Sequence, residues 1–365
     1  MKTLLFTLEY PPFQGGVANY YGNLVKYWPA QEKIDVLDNS KSELLVKGRK
    51  FFVWCPAISA FQRKINKSKA THILVGQILP LGTIVYFWSF FKSYKYTVFL
   101  HGMDLSYALK NRRKRFIASL ILKKADKIIC ANSYVAEKVR EFNINYSDKI
   151  RVVNPGVEAV SPVFSETELS EIKNYYNLPD DAIILFSLGR LVKRKGFDRT
   201  IKALSLIPEP ILERLTYFIA GIGPEEEYLK KLVPKELINK VVFLGAITND
   251  DKWTWLSVSS IFVMPSRDIA GDYEGFGIVY LEANLAARPV IAGESGGVKD
   301  AVIDGYNGLI VNSENVYEIS EAIIKLVENP DLREKLGKQG QVRAIDEFNW
   351  EKQVASVFQI LNETD

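Results

Sequence analysis

Short apolar runs recur along the whole 365-residue chain, separated by amphipathic stretches with helical spacing. TLLFTL (3–8), KIDVLD, FFVWC, HILVG, YTVFLHG, KIIC and IRVVNPG fall in the first half. AIILFSLGRL (182–191), LTYFIAG, KVVFLG, SIFVMPS, RPVIAG and GLIV fall in the second. Each has strand length and reads as a strand. Between them, GVANYYGNLVKYW (16–28) lines up Val17, Tyr20, Tyr21, Leu24 and Tyr27 on one helical stripe. GFDRTIKALSLI and PEEEYLKKLV read as helices too, the latter with acidic residues at its N-terminus, where the helix dipole favours them. Strands alternating with helices bury themselves in a doubly wound, mostly parallel sheet, so the expected fold class is α/β. The length argues for two domains, and the polar stretch EAVSPVFSETELSEIKNYYNLPDD (158–181) is the expected linker region. Two Rossmann-like domains follow, residues 1–163 and 164–345, with a cleft between them at the carboxyl ends of their strands. The tail AIDEFNWEKQVASVFQIL reads as a helix capped near Asn349, and residues 346–365 are expected to lie back across the first domain.

Composition narrows the chemistry. With two cysteines, Cys55 and Cys130, a disulfide framework is not expected, and both read as buried thiols in a reducing compartment. With two histidines, His72 and His101, a zinc site would need an unusual ligand set. The first apolar stretch, in MKTLLFTLEYPP, is shorter than a signal-peptide core, and no small-residue cleavage site follows. LGTIVYFWSFF is too short to span a bilayer. The expected location is cytoplasmic. The net charge of +4 hides an asymmetry: residues 1–165 hold 25 Lys+Arg against 11 Asp+Glu, and the remainder holds 22 against 32. A basic half joined to an acidic half implies a division of labour, with the basic half facing an anionic surface or substrate.

Three stretches carry candidate chemistry. PPFQGGVANY places Gly15 and Gly16 between a strand and a helix, where bare amides at a helix N-terminus form an anion site. It is not the G-x-G-x-x-G fingerprint and no acidic residue follows at the dinucleotide spacing, which argues against NAD. In SLGRLVKRKGFD a strand ends at Gly189, Arg190, Lys193, Arg194 and Lys195 follow, and Gly196 opens a helix. Cations at the carboxyl end of a strand suit a leaving phosphate group. The third stretch, DYEGFGIVYLEA (272–283), sets Glu274 just outside a helix expected over residues 276–287, with Glu282 two turns along. Eight residues of helical rise span roughly 12 Å, about the distance from a hexose to the ribose of an extended nucleotide sugar. One carboxylate can then grip sugar hydroxyls and the other ribose hydroxyls, with the Phe276 and Gly277 amides serving the diphosphate.

Taken together, these motifs resemble the family-four glycosyltransferases, retaining enzymes of two-Rossmann GT-B architecture. The E-x₇-E pattern fits Glu274 and Glu282, the GRL…KG pattern fits Arg190 and Lys195, the first-domain GGV fits Gly15 and Gly16, and HG-x-D fits His101 to Asp104. EGFGIVYLEA…PVIAGESGGVKDAV looks most like bacterial α-mannosyltransferases acting on phosphatidylinositol mannosides. The resemblance implies a hexose, best guess mannose from GDP-mannose, moved in α linkage to a lipid-linked or glycan acceptor. A UDP-hexose transferase (glucose, GlcNAc or galactose) of surface polysaccharide synthesis is the alternative. It implies that Arg190 and Lys195 bind the departing diphosphate, with Gly189 at the strand end. It assigns Glu274 the transferred hexose, aided by Gly275, Phe276, Gly277 and Ile278, and Glu282 the ribose. Gly15 and Gly16 reach the phosphate from the first domain, His101 lies near the reacting centre, and Gly245–Ala246 lies near the base. The implied mechanism is front-face displacement with retention, so Glu274 is not a nucleophile. No metal or other cofactor is expected to be obligatory. Lys299 and Asp300 stand where many relatives carry proline and glutamate, which leaves no expected sugar contact from that loop.

Acceptors bind the first domain in this architecture, which places the basic FQRKINKSK (61–69) and KNRRKRF (110–116) and the aromatic VYFWSFFKSYKY on the acceptor side. Basic and aromatic residues together suit an anionic membrane surface, so peripheral contact with the inner face of the plasma membrane is expected. Nucleic-acid binding by the same basic half has no recognition motif behind it. An epimerase or a phosphorylase on the same architecture is separable by product analysis.

Overall fold

The computed structural model describes residues 1–13, 15–45, 53–158 and 165–363. The chain forms two compact units. Unit 1 comprises Met1–Gly156 with Trp350–Asp365, and unit 2 comprises Val157–Asn349.

Unit 1 carries β1 (Lys2–Phe6), β2 (Lys33–Leu37), β3 (His72–Val75), β4 (Lys95–Leu100), β5 (Lys127–Cys130) and β6 (Ile150–Val152), all parallel, in the order β2-β1-β3-β4-β5-β6. Unit 2 carries β7 (Ile183–Leu188), β8 (Leu215–Ala220), β9 (Val241–Gly245), β10 (Ile261–Met264), β11 (Val290–Gly293) and β12 (Gly308–Val311), in the order β12-β11-β10-β7-β8-β9. That second sheet is also wholly parallel. Strand order reverses at β1/β3 in the first sheet and at β7/β10 in the second, and such switch points are where open α/β sheets bind ligands.

The near-continuous apolar runs are explained by burial on both faces. Along β1, Leu4 and Phe6 enter one core while Leu5 enters the other. Ile73 and Val75 against Leu74, and Val98 and Leu100 against Phe99, repeat that period of two. In unit 2, Leu185 faces one core and Ile184 and Phe186 the other. The helix Trp350–Asn362 belongs to unit 1, where Trp350, Val354 and Val357 pack with Tyr20, Leu24, Trp28 and the Leu5/Leu74/Phe99 face of the sheet.

Four sequence expectations need correction. FFVWC is not a strand: Phe51 and Phe52 lie outside the described residues, Val53–Trp54 is a turn, and a helix starts at Cys55 with Pro56 in its first turn. Cys55 is also exposed rather than buried, while Cys130 is buried. The 158–181 stretch contains the helix Glu166–Tyr175, capped by the Ser165 side chain, which accepts from the Glu168 amide at 3.2 Å; residues 159–164 lie outside the described residues. The tail is two helices, Pro330–Glu347 and Trp350–Asn362, broken at Phe348–Asn349.

Candidate active site

The β7/β10 switch point of unit 2 gathers charge. After β7, Gly189 has no side chain, and a Cβ there would stand 3.6 Å from Lys195 Cε and 3.9 Å from its Nζ, so the lysine folds back over the strand end. The Lys193–Lys195 turn is closed by Gly196 at φ 76. Any Cβ at Gly196 would collide with the Pro265 carbonyl oxygen, so only glycine lets this loop pack against the end of β10.

Glu274 lies opposite that loop and is buried. Its Oε2 accepts from Lys195 Nζ at 2.6 Å and from Arg194 at 2.8 Å, with Ser266 Oγ at 3.4 Å. Arg194 also reaches Asp272, its Nε 3.2 Å from Oδ1. The backbone is pinned separately: the Glu274 amide donates to Ser295 Oγ at 3.1 Å, and the Gly297 amide donates to the Glu274 carbonyl at 3.0 Å. Burial pushes the Glu274 carboxyl up, but the charges of Lys195 and then Arg194, with their hydrogen bonds, outweigh it and hold the group below the usual carboxylate range. The carboxylate is therefore ionised, with two cations within contact distance.

The helix beyond it begins at Ile278, not Phe276, and runs to Leu285. Gly277 caps it at φ 80, and a Cβ there would strike the Tyr280 ring, which explains the late start. Glu274 is thus four residues upstream of the helix, so the eight-residue spacing to Glu282 is not a single helical rise. Among the described residues the amides of Phe276 and Gly277 have no hydrogen-bond acceptor, while Phe276 itself packs against Phe348. Gly275 and Ile278 are partly exposed on either side.

Glu282 is met by Lys252 at 2.6 Å. Lys252 comes from the helix Asn249–Val258, which follows β9 through Gly245 (φ 69), the exposed Ala246 and a Thr248–Asp251 capping box. The structure thereby ties the Gly245–Ala246 loop to Glu282 through a residue that the sequence reading passed over. Arg190 stands apart, exposed and without an ion pair among the described residues. Lys299 pairs with Glu294 at the surface.

Unit 1 holds the other sequence-marked residues. Gly15 (φ 152) and Gly16 open the helix Gly16–Lys26, and among the described residues nothing beyond their chain neighbours and their own helix backbone comes within 4 Å of where a Cβ would stand on either. His101 follows β4. Tyr21 donates its hydroxyl to the Gly76 carbonyl at 2.9 Å, so its oxygen must accept from His101 Nε2, also at 2.9 Å. That leaves Nδ1 as the acceptor. Burial pushes the imidazole down to about 4, so it is neutral near pH 7. Asp104 Oδ1 accepts from the His101 and Gly102 amides at 3.0 and 2.9 Å. Burial nevertheless raises its carboxyl to about 6.

Arg194, Ser266, Ser295 and Lys252 are the site-building residues that motif reading missed. Arg194 was visible as a neighbour of Lys195, but the loop alone does not tell which of three cations turns inward. Ser295 sits in ESGG beside Gly296 (φ 51), where a Cβ would strike the Glu274 carbonyl oxygen. Among the described residues, no cluster of three or more His, Cys, Asp or Glu is placed to hold a metal ion, and Asp272, two residues before Glu274, pairs with Arg194.

Residues 170–343 match the model of the glycosyl transferases group 1. An uncharacterized glycosyltransferase of Methanocaldococcus jannaschii is 31% identical over 273 residues, covering 72% of this chain and 67% of the relative. A GDP-mannose-dependent monoacylated alpha-(1-6)-phosphatidylinositol monomannoside mannosyltransferase of Corynebacterium glutamicum is 26% identical over 368 residues, covering 96% and 95%. The crystal structure of Anabaena HepE in complex with UDP superposes with TM-score 0.79 at 18% identity, covering 99% of each chain. With two parallel Rossmann-like sheets and this family match, the chain belongs to the group 1 glycosyl transferases, hexosyltransferases of the GT-B fold.

Proposed function

We propose that this enzyme moves mannose from GDP-mannose, with retention, onto a lipid-linked acceptor in α linkage. The observation that carries the reading is the ionised, buried Glu274 held between Lys195 and Arg194 at the β7/β10 switch point. A carboxylate so placed is a strong acceptor for sugar hydroxyls. Its two cations are positioned to meet the negative charge that grows on a departing diphosphate. The unsatisfied Phe276 and Gly277 amides and the solvent-facing Arg190 add donors to the same end of the sheet. The donor assignment is supported by relatives described as GDP-mannose-dependent over nearly the full chain.

In the step proposed, the bond from the sugar C1 to the diphosphate oxygen breaks with its electron pair going to that oxygen, and Lys195, Arg190 and the amides stabilise the charge there. The acceptor hydroxyl attacks C1 on the same face, and its proton goes to the departing phosphate oxygen. Glu274 is neutralised by two cations and serves as a grip, in contrast to the attacking carboxylate of a retaining hydrolase. In unit 1, Gly15 and Gly16 present open backbone to phosphate, and the neutral His101 contributes a hydrogen bond near the reacting hydroxyl.

A donor panel tests this. Binding and slow hydrolysis are measured for GDP-mannose, UDP-glucose, UDP-GlcNAc, UDP-galactose and ADP-glucose, and the product anomer is read by NMR. Preference for GDP-mannose with an α product is expected. A UDP-sugar preference would move the assignment to a UDP-hexose transferase, and a β product would end the retaining mechanism.

A further inference from the structure

Three phenylalanines of unit 1 stand in solvent within five residues: Phe87, Phe90 and Phe91 are 56%, 61% and 65% exposed. The helix Leu81–Trp88 buries Leu81, Ile84 and Val85, and its penultimate residue and the turn that follows carry these rings off the core. Phe87 and Phe91 have ring centroids 5.3 Å apart, and Phe90, the residue before Phe91, stacks edge-on against Tyr86 at 5.1 Å. Single exposed apolar residues need no explanation, but a contiguous apolar knuckle rimmed by polar groups marks a contact site.

The rim is cationic. The helix Arg112–Lys124, RRKRFIASLILKK, packs against Leu81–Trp88 and has no acidic residue. Its Ala118, Ile121 and Leu122 are buried, while Arg112, Arg113, Arg115, Phe116, Lys123 and Lys124 are exposed. Lys124 Nζ lies 3.5 Å from the Phe90 ring centroid and donates to the Ser89 carbonyl at 3.1 Å, so cation and aromatic share one surface. Beside them a cavity of about 520 Å³ collects Lys95, Lys124, Lys127 and Lys149, with Asp126 and Asp148. At the other end of the cationic helix, Lys114 lies over the exposed Tyr107, on the helix Met103–Leu109 that follows His101. The face thus extends from the knuckle toward the strand end that carries His101.

We infer that unit 1 docks on an anionic bilayer through the Phe87–Phe90–Phe91 knuckle and the outward face of the helix Arg112–Lys124. Aromatic rings settle at headgroup depth and flanking Lys and Arg are drawn to anionic lipid. A second copy of this chain fits worse, because like-charged rims would meet. The basic FQRKINKSK segment is left out: it lies on the helix Cys55–Ser68, which carries none of the exposed large apolar side chains, and its Lys64 pairs with Asp35 at 3.4 Å. The purpose of the surface rests on the lipid-acceptor reading above, but its physics does not.

The test is co-sedimentation of the full chain with vesicles of phosphatidylcholine alone and of phosphatidylcholine with a third phosphatidylglycerol. Anionic vesicles should retain the protein about tenfold better, less so at high salt. The variant Phe87→Ser/Phe90→Ser/Phe91→Ser should lose about tenfold of that binding with unchanged donor-nucleotide affinity, which shows that the fold survives. If that triple variant fails to fold, Phe90→Ser alone and Arg112→Gln/Lys123→Gln should each weaken binding. Lys64→Ala/Lys67→Ala should bind as the native chain does. Native-like binding by the folded knuckle variants, equal binding to neutral vesicles, or a knuckle that proves to mediate self-association would overturn the inference. Vesicle binding that persists while no lipid acceptor is glycosylated would remove the acceptor reading and leave this one standing.

Discussion

Glu274 and His101 each follow a strand of a parallel sheet, one buried and the other half-buried, and they meet opposite electrostatic fates. Glu274 is surrounded by two cations that keep it charged. His101 has a phenol and backbone around it, and burial keeps it neutral. The first arrangement suits a partner that gains negative charge during reaction, because fixed cations in a water-poor site need no reorganisation. The second suits a neutral hydroxyl, from which an imidazole with one free lone pair can accept a hydrogen bond without forming an ion. In the proposed reaction, unit 2 handles the leaving group and unit 1 the nucleophile. The charge imbalance between the halves of the sequence is then unrelated to this contrast: the more acidic half holds the cationic grip, and the basic half holds the neutral site.

The comparison breaks most decisively at Lys195. Lys195→Ala should lower kcat/KM by about 10²–10³-fold, the scale of a lost electrostatic donor, and Glu274→Gln should fall in the same range. Steady-state kinetics on both decides, and near-normal turnover in either would show that charge at this switch point does not drive transfer. Next comes the neutral half. His101→Ala should cost about a hundredfold in kcat, the low end of the scale for one positioned acid–base group. Because His101 titrates near 4, the native rate should show no step from this imidazole above pH 5. A step near pH 6.5 that His101→Ala abolishes would mean the group is charged when it acts.

The smallest effect sharpens the contrast through stability. Asp104 has its folded carboxyl raised to about 6, so the folded state holds a proton that the unfolded state has released, and stability declines as pH rises from about 4 through 6. His101 acts the other way. Its folded value of about 4 lies below the unfolded one, so stability rises with pH over much of the same window. The two contributions oppose each other in the native chain. Asp104→Asn keeps the acceptor for the His101 and Gly102 amides and removes one of them, so its stability should gain on the native protein between pH 5 and pH 7. Denaturant midpoints at those two pH values measure it. A parallel decline in both proteins would place the Asp104 proton elsewhere.

The architecture was largely legible because strands buried on both faces must be apolar throughout, and twelve such runs in alternation with helices leave few alternatives. FFVWC misled for the same reason: Trp54 and the aromatics before it have strand propensity, but Pro56 favours a helix start. The site was legible in its parts and not in its pairings. Glu274 and Glu282 stood out by spacing, and the family resemblance singled out Arg190 and Lys195 among the cations of their loop. That Arg194 would join Lys195 on Glu274, and that Lys252 would close on Glu282, depend on contacts between residues thirty to eighty positions apart. The start of the helix Ile278–Leu285 was misplaced because Phe-Gly-Ile looks helical, whereas Gly277 takes a left-handed conformation that allows Tyr280 to pack beneath it.

Unit 1 is built from residues 1–156 and from the last helix of the chain, and that has a consequence in time. During synthesis its sheet is complete once β6 has emerged, but the face that bears Leu5, Leu74 and Phe99 stays without Trp350 and Val354 until residues 157–349 have been made. At 5–20 residues per second that is a wait of roughly 10–40 s. Unit 2, begun later, needs nothing from outside its own stretch. The unit begun first is therefore completed only after unit 2 has been made. A chain that ends early would display that open apolar face, a ready-made mark for the chaperones and proteases that sort incomplete products.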